Sequence, residues 1–184
     1  MPAWPLDSHH DVRDELLTAW DRDGYHDLQH LTEVLDRLAL LGVTDPVVLL
    51  AAWFHDAVYD GDRDDEERSA EWALAALPSS LGPGVARLVR MTATHDPADD
   101  DPGACALSDA DLAILAADPA RYAAYVDGVR RDYAHVSDED FRAGRVAVLE
   151  DLLARDSLFR LPKARELWED AARANLVREL ESLR

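Results

Sequence analysis

The pair His55 and Asp56 lies at the end of a segment that is otherwise apolar enough to be core. Burying an imidazole and a carboxylate without compensation costs several kcal/mol, so a partner must satisfy them. Neutral imidazole and ionised carboxylate are standard ligands of divalent cations. The pair therefore predicts a metal site, for which the chain offers further side chains of the same kinds: His26, His30, His95, Asp109 and Asp111.

Helices have to position these groups, because apolar residues recur at helical spacing and short alternating β-branched runs are missing. The predicted helices cover residues 11–20, 26–41, 45–59, 64–77, 84–95, 107–116, 118–136, 138–155 and 163–183, with a surface loop over 96–103. His26 and His30 then share one face of the second helix. Ligands from several helices can meet at one centre in a bundle core, and we expect the third helix and the helix at 107–116 to complete the site.

The chain has 184 residues, 48% of them hydrophobic, which is enough to bury the core of one domain. No internal repeat or linker is visible. We therefore predict a single all-α domain spanning residues 1–184, with a core over about 20–160 and a last helix over 163–183. The apolar side of that helix packs on its own domain or on a second copy, so a homodimer is one expectation.

Cysteine usage and hydropathy indicate the compartment. Cys105 is the only cysteine, which excludes an intrachain disulfide and fits a reducing environment. The N-terminus has no basic start followed by an apolar run, and no stretch approaches the roughly 20 apolar residues that span a bilayer. We expect a cytoplasmic protein with no membrane partner.

The formal net charge is −19, from 38 acidic and 19 basic residues. A surface this acidic repels phosphate backbones, so nucleic acid is not an expected partner. A small anionic substrate is still compatible with this charge if it binds in a pocket that holds a metal ion. Apart from Lys163 the basic residues are arginines, which are the better bidentate partners for phosphate.

The order of the candidate ligands, His30, then His55–Asp56, then Asp111, resembles the HD-domain superfamily of metal-dependent phosphohydrolases, and more narrowly its predicted hydrolases. The resemblance covers roughly Trp20 to Phe159. It implies a helical bundle of the HD-domain type that hydrolyses phosphate esters. Six segments carry it: Tyr25–His30, Ala51–Tyr59, Asp65–Ala70, Asp109–Leu115, Val129–Tyr133 and Phe141–Arg145.

The resemblance also implies roles for single residues. The metal ligands would be His30, His55, Asp56 and Asp111. Asp111 is preferred to Asp109 because related enzymes use the aspartate of an Ala-Asp-Leu-like step, which the chain has at 110–112.

Catalytic roles follow from the same resemblance. The Tyr-His-x-x-x-His arrangement is similar to that of cyclic-nucleotide phosphodiesterases, in which the first histidine protonates the leaving group, so His26 is the expected general acid. Asp56 and Glu66 are expected to take part in catalysis beside the metal. The expected substrate contacts are His95, Arg130, Arg142 and Arg145.

Several of these residues also have purely structural interpretations. His95 ends a predicted helix, where a protonated histidine meets the helix dipole favourably, and Glu66 begins one. The arginines often serve in surface ion pairs. The chain also departs from related proteins at two positions: Asp65 stands where asparagine is usual, and Asp23, beside Arg22, where an arginine is expected.

These groups suit metal-assisted hydrolysis. A divalent cation lowers the pKa of a bound water from about 15.7 to about 7 and polarises a phosphoryl oxygen. Arginines offset the remaining phosphate charge. A histidine with an ordinary pKa of about 6.5 suits proton transfer to the departing alkoxide. We expect a metal-dependent phosphohydrolase for a small phosphorylated molecule such as a nucleotide, with Mn, Fe, Co, Ni, Zn or Mg as the metal.

Three other functions stay open. An HD-type di-iron oxygenase would need more histidine ligands than the chain clearly offers. The segment from His26 to His30 has the spacing of the zincin motif His-Glu-x-x-His, with the shorter Asp27 in place of the glutamate base. A non-catalytic regulatory domain would bind a metal or another ligand without turnover.

Overall fold

The computed structural model describes residues 2–61 and 64–184, and within these ranges the regular structure is helical, with no strand. The predicted all-helical class is therefore confirmed. The helices are α1 His10–Trp20, α2 Leu28–Leu41, α3 Pro46–Phe54, α4 Asp65–Ala76, α5 Gly82–Thr92, α6 Pro102–Leu112, α7 Pro119–Asp132, α8 Asp138–Ala154 and α9 Pro162–Leu183, with a 3₁₀ helix at Ala113–Ala116. None of the described helices combines the length and apolarity required to cross a membrane.

Side-chain caps fix where five of these helices begin. In each, a short oxygen-bearing side chain accepts a backbone N–H of the first helical turn, which would otherwise lack a partner. Proline follows the cap in α3, α6 and α7, where its missing N–H costs nothing. The capping residues are Asp27, Asp45, Asp101, Asp118 and Ser137.

The cap of α2 corrects one sequence prediction. The Asp27 carboxylate accepts the backbone N–H of His30 at 3.0 Å, so the helix begins at Leu28 and His26 lies before it. The prediction that His26 and His30 share a helical face was therefore wrong. Their rings are neighbours nonetheless, with centroids 5.6 Å apart.

The third helix is shorter than predicted. α3 ends at Phe54, and the backbone N–H of Val58 donates to the Ser69 hydroxyl of α4 at 3.0 Å, which directs the chain away from the helix axis. His55 and Asp56 therefore lie in the turn that follows α3, immediately after the most apolar helix of the chain.

Other boundaries also differ from the prediction, among them the end of α7, which lies at Asp132 rather than 136. α5 ends at Thr92, and His95 lies beyond it with a positive φ of 49°. α6 begins at Pro102, within the predicted loop, because the Asp101 side chain accepts the N–H of Ala104 at 3.0 Å. The Asp-Pro pair is the signal that also begins α3 and α7, and the loop ends there.

Two hydrophobic clusters form the interior. The first contains buried residues from α1 to α6, among them Trp20, Trp53 and Phe54. The second is formed mainly by the 3₁₀ helix and α7 to α9, with Leu149 and Phe159 fully buried. The chain passes from one cluster to the other at the end of α6, which carries Asp111.

Candidate metal centre and adjoining cleft

Four side chains predicted as ligands converge on one point. His30 Nε2 lies 3.0 Å from His55 Nε2, 3.5 Å from Asp56 Oδ2 and 3.2 Å from Asp111 Oδ1. His55 Nε2 lies 3.1 Å from Asp56 Oδ2 and 3.7 Å from Asp111 Oδ1. Both imidazoles are fully buried, and the two carboxylates are 13% and 14% exposed. The fold therefore brings together residues from α2, the turn after α3 and α6.

Neighbouring groups orient the two histidines. His55 Nδ1 donates to the Ala52 carbonyl at 2.8 Å, which leaves the lone pair of Nε2 directed to the cluster. The Trp20 ring packs against both imidazoles, with centroids 5.4 Å from His55 and 6.0 Å from His30. Trp20 is itself held by a hydrogen bond from its indole N–H to the Trp53 carbonyl at 2.9 Å.

The distances between these donor atoms fit a single divalent cation. Atoms that bond one ion at about 2.1 Å lie about 3.0 Å apart across a right angle and about 3.4 Å apart across a tetrahedral angle. The observed separations run from 3.0 to 3.7 Å. The ligand atoms of His30, His55 and Asp56 all lie within 4.8 Å of one another. A buried group able to hold a metal is thus present, with Asp111 beside it.

The electrostatics favour positive charge at the same point. Burial lowers the pKa of His30 and His55, but Asp56 and Asp111 outweigh it and raise both, that of His55 well above its usual range. Burial raises the pKa of the two carboxyls, yet His55 and His30 hold both well below their usual range. Two N–H groups cannot point at each other across the 3.0 Å between the Nε2 atoms, whereas one shared cation satisfies all four groups.

One atom of the cluster departs from the usual pattern of metal sites. A ligating histidine normally donates its second ring N–H to a carbonyl or carboxylate. His30 Nδ1 is buried with no hydrogen-bond partner among the described residues, and the same is true of the Tyr25 hydroxyl. The two rings lie against each other, with centroids 4.6 Å apart. The orientation of His30 is therefore fixed by ring packing rather than by a second hydrogen bond.

A cleft of about 870 Å³ adjoins the cluster. Asp111 belongs to both, and His26 and His95 also line the cleft. Its other walls come largely from α7, α8 and the 3₁₀ helix. The volume lies within the roughly 300–1,000 Å³ typical of sites for small molecules.

His26 forms a dyad with an aspartate of α7. His26 Nδ1 lies 2.7 Å from Asp132 Oδ2, and the ring stacks on Tyr59 with centroids 3.8 Å apart. Asp132 also accepts the backbone N–H of Tyr25 at 3.2 Å from both oxygens, which fixes the carboxylate. With Nδ1 held by a carboxylate, Nε2 is the ring atom left to exchange a proton in the cleft.

Replacing Gly24 by alanine is expected to disturb this dyad. Gly24 has φ +120°, and a Cβ there would lie 1.6 Å from Asp132 Oδ1, so the carboxylate would have to leave His26. We expect Gly24→Ala to cost about 1–3 kcal/mol of stability in urea unfolding and to shift the NMR signals of the His26 ring. Gly42→Ala is the matched control, since Gly42 also has a positive φ, 88°, but nothing within 4 Å. An unshifted His26 signal in Gly24→Ala would contradict the expectation.

His95 contacts the cluster, whereas Glu66 does not line the adjoining cleft. His95 Nε2 lies 3.4 Å from Asp111 Oδ2, and Nδ1 lies 3.2 Å from the Ser108 hydroxyl. Burial lowers the pKa of His95. Glu66, half-buried in the first turn of α4, does not line the cleft, although burial and the charge of Asp56 raise its pKa.

The structure separates the two aspartates at the end of α6. Asp109 is fully buried, and its carboxylate accepts the backbone N–H groups of Arg160 and Leu161, each at 2.7 Å. Burial raises the pKa of Asp109 to about 6. Asp109 thus holds the segment between α8 and α9, while Asp111 faces the histidines.

The three arginines predicted as substrate contacts are placed differently. Arg145 lines the cleft and forms a bidentate pair with Glu179 at 2.7 and 3.0 Å. Arg130 binds the carbonyls of Tyr133 and Val136, beyond the end of α7, and the Asp138 carboxylate. Arg142 is exposed, and neither it nor Arg130 lines the cleft.

Removing Glu179 is expected to destabilise the protein strongly. The carboxylate accepts hydrogen bonds from Arg145 and from the Tyr122 hydroxyl at 2.6 Å, and the Arg145 and Glu179 side chains are only 9% and 5% exposed. Glu179→Ala would leave a buried guanidinium without its partner, at a cost of about 3–5 kcal/mol in urea unfolding. Glu150→Ala, which removes an exposed pair with Arg184, should cost less than about 1 kcal/mol. Equal losses in the two variants would contradict this.

The sequence did not predict the contacts that three residues make around His26. The Arg22 guanidinium donates to the carbonyl of His26 at 2.5 Å and to that of Asp56, and it lies 5.0 Å from the Trp20 ring centroid. Burial lowers the pKa of Arg22. Tyr59 and Asp132 fall in segments that were recognised, but nothing in the pattern marks their contacts with His26. Backbone carbonyls as partners of an arginine leave no signal in a sequence.

Comparison with known proteins gave no relative: no protein-family model matches the chain, and neither curated proteins nor solved structures gave a significant match.

Proposed function

We propose that this protein is a metal-dependent phosphohydrolase that acts on a phosphate ester. The observation that carries the proposal is the convergence of two imidazoles and two carboxylates at the wall of a cleft that a histidine–aspartate dyad also lines. The order of these residues along the chain resembles that of the HD-domain superfamily. An HD-type bundle belongs to the same proposal.

The ligands of the proposed metal are His30, His55, Asp56 and Asp111. A divalent ion held there would supply an activated water and polarise a phosphoryl oxygen. Asp56 would have a second role in catalysis, since its carboxylate lies beside both imidazoles and can orient a water by hydrogen bonding. Glu66, which does not line the cleft, would act through its charge.

His26 would act on the leaving group. Asp132 holds Nδ1, and the stacked Tyr59 ring fixes the plane of the imidazole, so Nε2 can carry a proton toward the ester oxygen. Arg22 contacts the carbonyls of His26 and Asp56, and thereby ties the acid to the metal ligands. The chain thus offers an acid of defined orientation next to the proposed ion.

Arg145 and His95 are the other predicted substrate contacts that line the cleft. Arg145 is bound to Glu179, so its charge is largely offset before a substrate binds. His95 contacts Asp111 and could meet a phosphate oxygen near the metal. Arg130 and Arg142 take no part in the proposed site.

The test is to purify the chain without chelator, measure its metal content by elemental analysis, and screen phosphate esters with Mn²⁺, Fe²⁺, Co²⁺, Ni²⁺, Zn²⁺ and Mg²⁺. We expect bound metal and metal-dependent release of phosphate, both lost after chelation and restored by the ion. Bound metal without turnover of any ester would overturn the enzymatic proposal in favour of a binding domain. Phosphate release by metal-free protein would overturn the metal's role.

A further inference from the structure

The walls of the cleft away from the cluster are mostly apolar. Of the 23 lining residues, ten are aliphatic or phenyl side chains and four are tyrosines. Helix α8 contributes several of them, including Phe141, Ala147, Val148 and Leu152.

Helix α8 fully buries few of its side chains. Of its 17 residues, Leu149 and Leu152 alone are buried. Val148 lines the cleft and is 50% exposed, one of six large hydrophobic side chains exposed among the described residues. An apolar helix face that borders a cleft and stays open to water is typical of a surface that a ligand covers.

The two arginines on these walls are already paired. Arg145 is bound to Glu179, and Arg155 donates to Asp151 at 3.2 Å and to the His95 carbonyl at 3.3 Å. Among the described lining residues, no arginine or lysine lacks a carboxylate partner. Attraction to a phosphate would therefore come from an ion held at the cluster, and the walls offer no unpaired guanidinium for a second phosphate.

We propose that the substrate is a phosphate monoester with an extended apolar organic part, which lies along α8 while its single phosphate meets the metal cluster. This inference rests on the proposed function. The continuity of the cleft with Asp111 and the pairing of its arginines favour this occupant over a polyphosphate or a sugar phosphate. The apolar part contacts Phe141 and Val148, and the tyrosine rings accommodate either a chain or an aromatic group.

Linear alkyl phosphates test the length of the apolar part, because ethyl, butyl, hexyl and octyl phosphate share one kind of leaving group. Burial of a methylene contributes about 0.8 kcal/mol, so we expect kcat/KM to rise by about two- to fourfold per added methylene. Naphthyl-methyl phosphate should be hydrolysed more efficiently than a nucleoside monophosphate, whose sugar is polar, and the reverse order would overturn the apolar occupant.

Alkylphosphonates test binding without turnover. In calorimetry their affinity for metal-loaded protein should rise with chain length, and octyl diphosphate should compete less well than octylphosphonate. Val148→Asp should flatten the dependence of affinity on chain length, whereas Val177→Asp, at a similarly exposed valine of α9 outside the cleft, should leave it unchanged. Because both valines are half-exposed, neither substitution is expected to prevent folding.

The outcomes separate the two proposals. Alkylphosphonates that bind more tightly with length, without hydrolysis of any ester, would support the apolar occupant and overturn the phosphohydrolase. Esters that are hydrolysed at rates independent of chain length, together with phosphonates of equal affinity, would overturn the apolar occupant and leave the phosphohydrolase standing. Octyl diphosphate that binds more tightly than octylphosphonate would overturn the restriction to one phosphate.

Discussion

Asp111→Asn is expected to strip the protein of its metal and to lower turnover of phosphate esters by about 10³-fold or more, which corresponds to about 4 kcal/mol of lost transition-state stabilisation. Asparagine keeps the shape of the side chain but removes the negative charge that faces His30 Nε2 at 3.2 Å. It also places an N–H₂ group where a cation is expected. Elemental analysis of the purified variant, with circular dichroism as a check on folding, measures the effect.

Asp109→Asn is the matched control for this substitution. The two aspartates lie two positions apart on α6, but Asp109 accepts the backbone N–H groups of Arg160 and Leu161 instead of facing the cluster. Asp109→Asn should retain the metal and lose about 1–3 kcal/mol of stability, because the amide can accept only on its oxygen. Metal loss in Asp109→Asn with retention in Asp111→Asn would show that the assigned ligand set is incorrect.

His26→Ala should keep the metal yet slow the hydrolysis of alkyl phosphates by roughly 10²–10⁴-fold, the usual contribution of a general acid. An alkoxide leaves poorly without a proton, whereas p-nitrophenolate leaves without help. The defect should therefore shrink to less than about tenfold with p-nitrophenyl phosphate. Rates of the two esters, measured side by side on metal-loaded protein, give the answer.

Asp132→Asn provides the companion measurement. The amide introduced by this substitution no longer carries the negative charge that stabilises a protonated His26 through Nδ1. The loss of hydrolysis rate should therefore be larger for alkyl than for p-nitrophenyl esters, as in His26→Ala, but smaller in magnitude. Equal defects for alkyl and p-nitrophenyl esters in His26→Ala would exclude proton donation by His26. Loss of metal in His26→Ala, with full metal content in Asp56→Ala, would instead favour the zincin alternative.

The helices and the candidate ligands could be predicted from the sequence for separate reasons. Apolar periodicity and the Asp-Pro caps determine local structure, so the existence of each helix could be predicted from short windows. His55 and Asp56 could be nominated as ligands because they follow the apolar segment 46–54, where burial would be costly. His30 and Asp111 were assigned from the resemblance to the HD-domain superfamily. Their convergence depends on long-range packing, and only the structure brings Asp111 to His30.

The sequence predictions that the structure does not bear out also have specific physical causes. His26 was placed inside α2 because the pattern 26–30 fits a helical face, but the cap at Asp27 begins the helix later. The sequence does not indicate which group an arginine will bind. Arg130 binds the carbonyl of Tyr133 at the end of its own helix, whereas Arg145 binds a glutamate 34 positions away. The resemblance expects an arginine at position 23, next to Arg22, but the contacts of Arg22 with main-chain oxygens cannot be identified from residue types.

In the proposed function, the two interior clusters support different tasks, ion binding and ligand selection. The atoms that would bind the ion come from α2, the turn after α3, and α6, which belong to the first cluster. The surface that would select a ligand is built mainly on α7 and α8, which belong to the second cluster. Apart from Arg145, Leu149 and Leu152, few side chains of α8 lie in the interior, so the rest of its sequence can change with little penalty to folding. Recognition could therefore be redesigned along that one helix while the chemistry stays as it is.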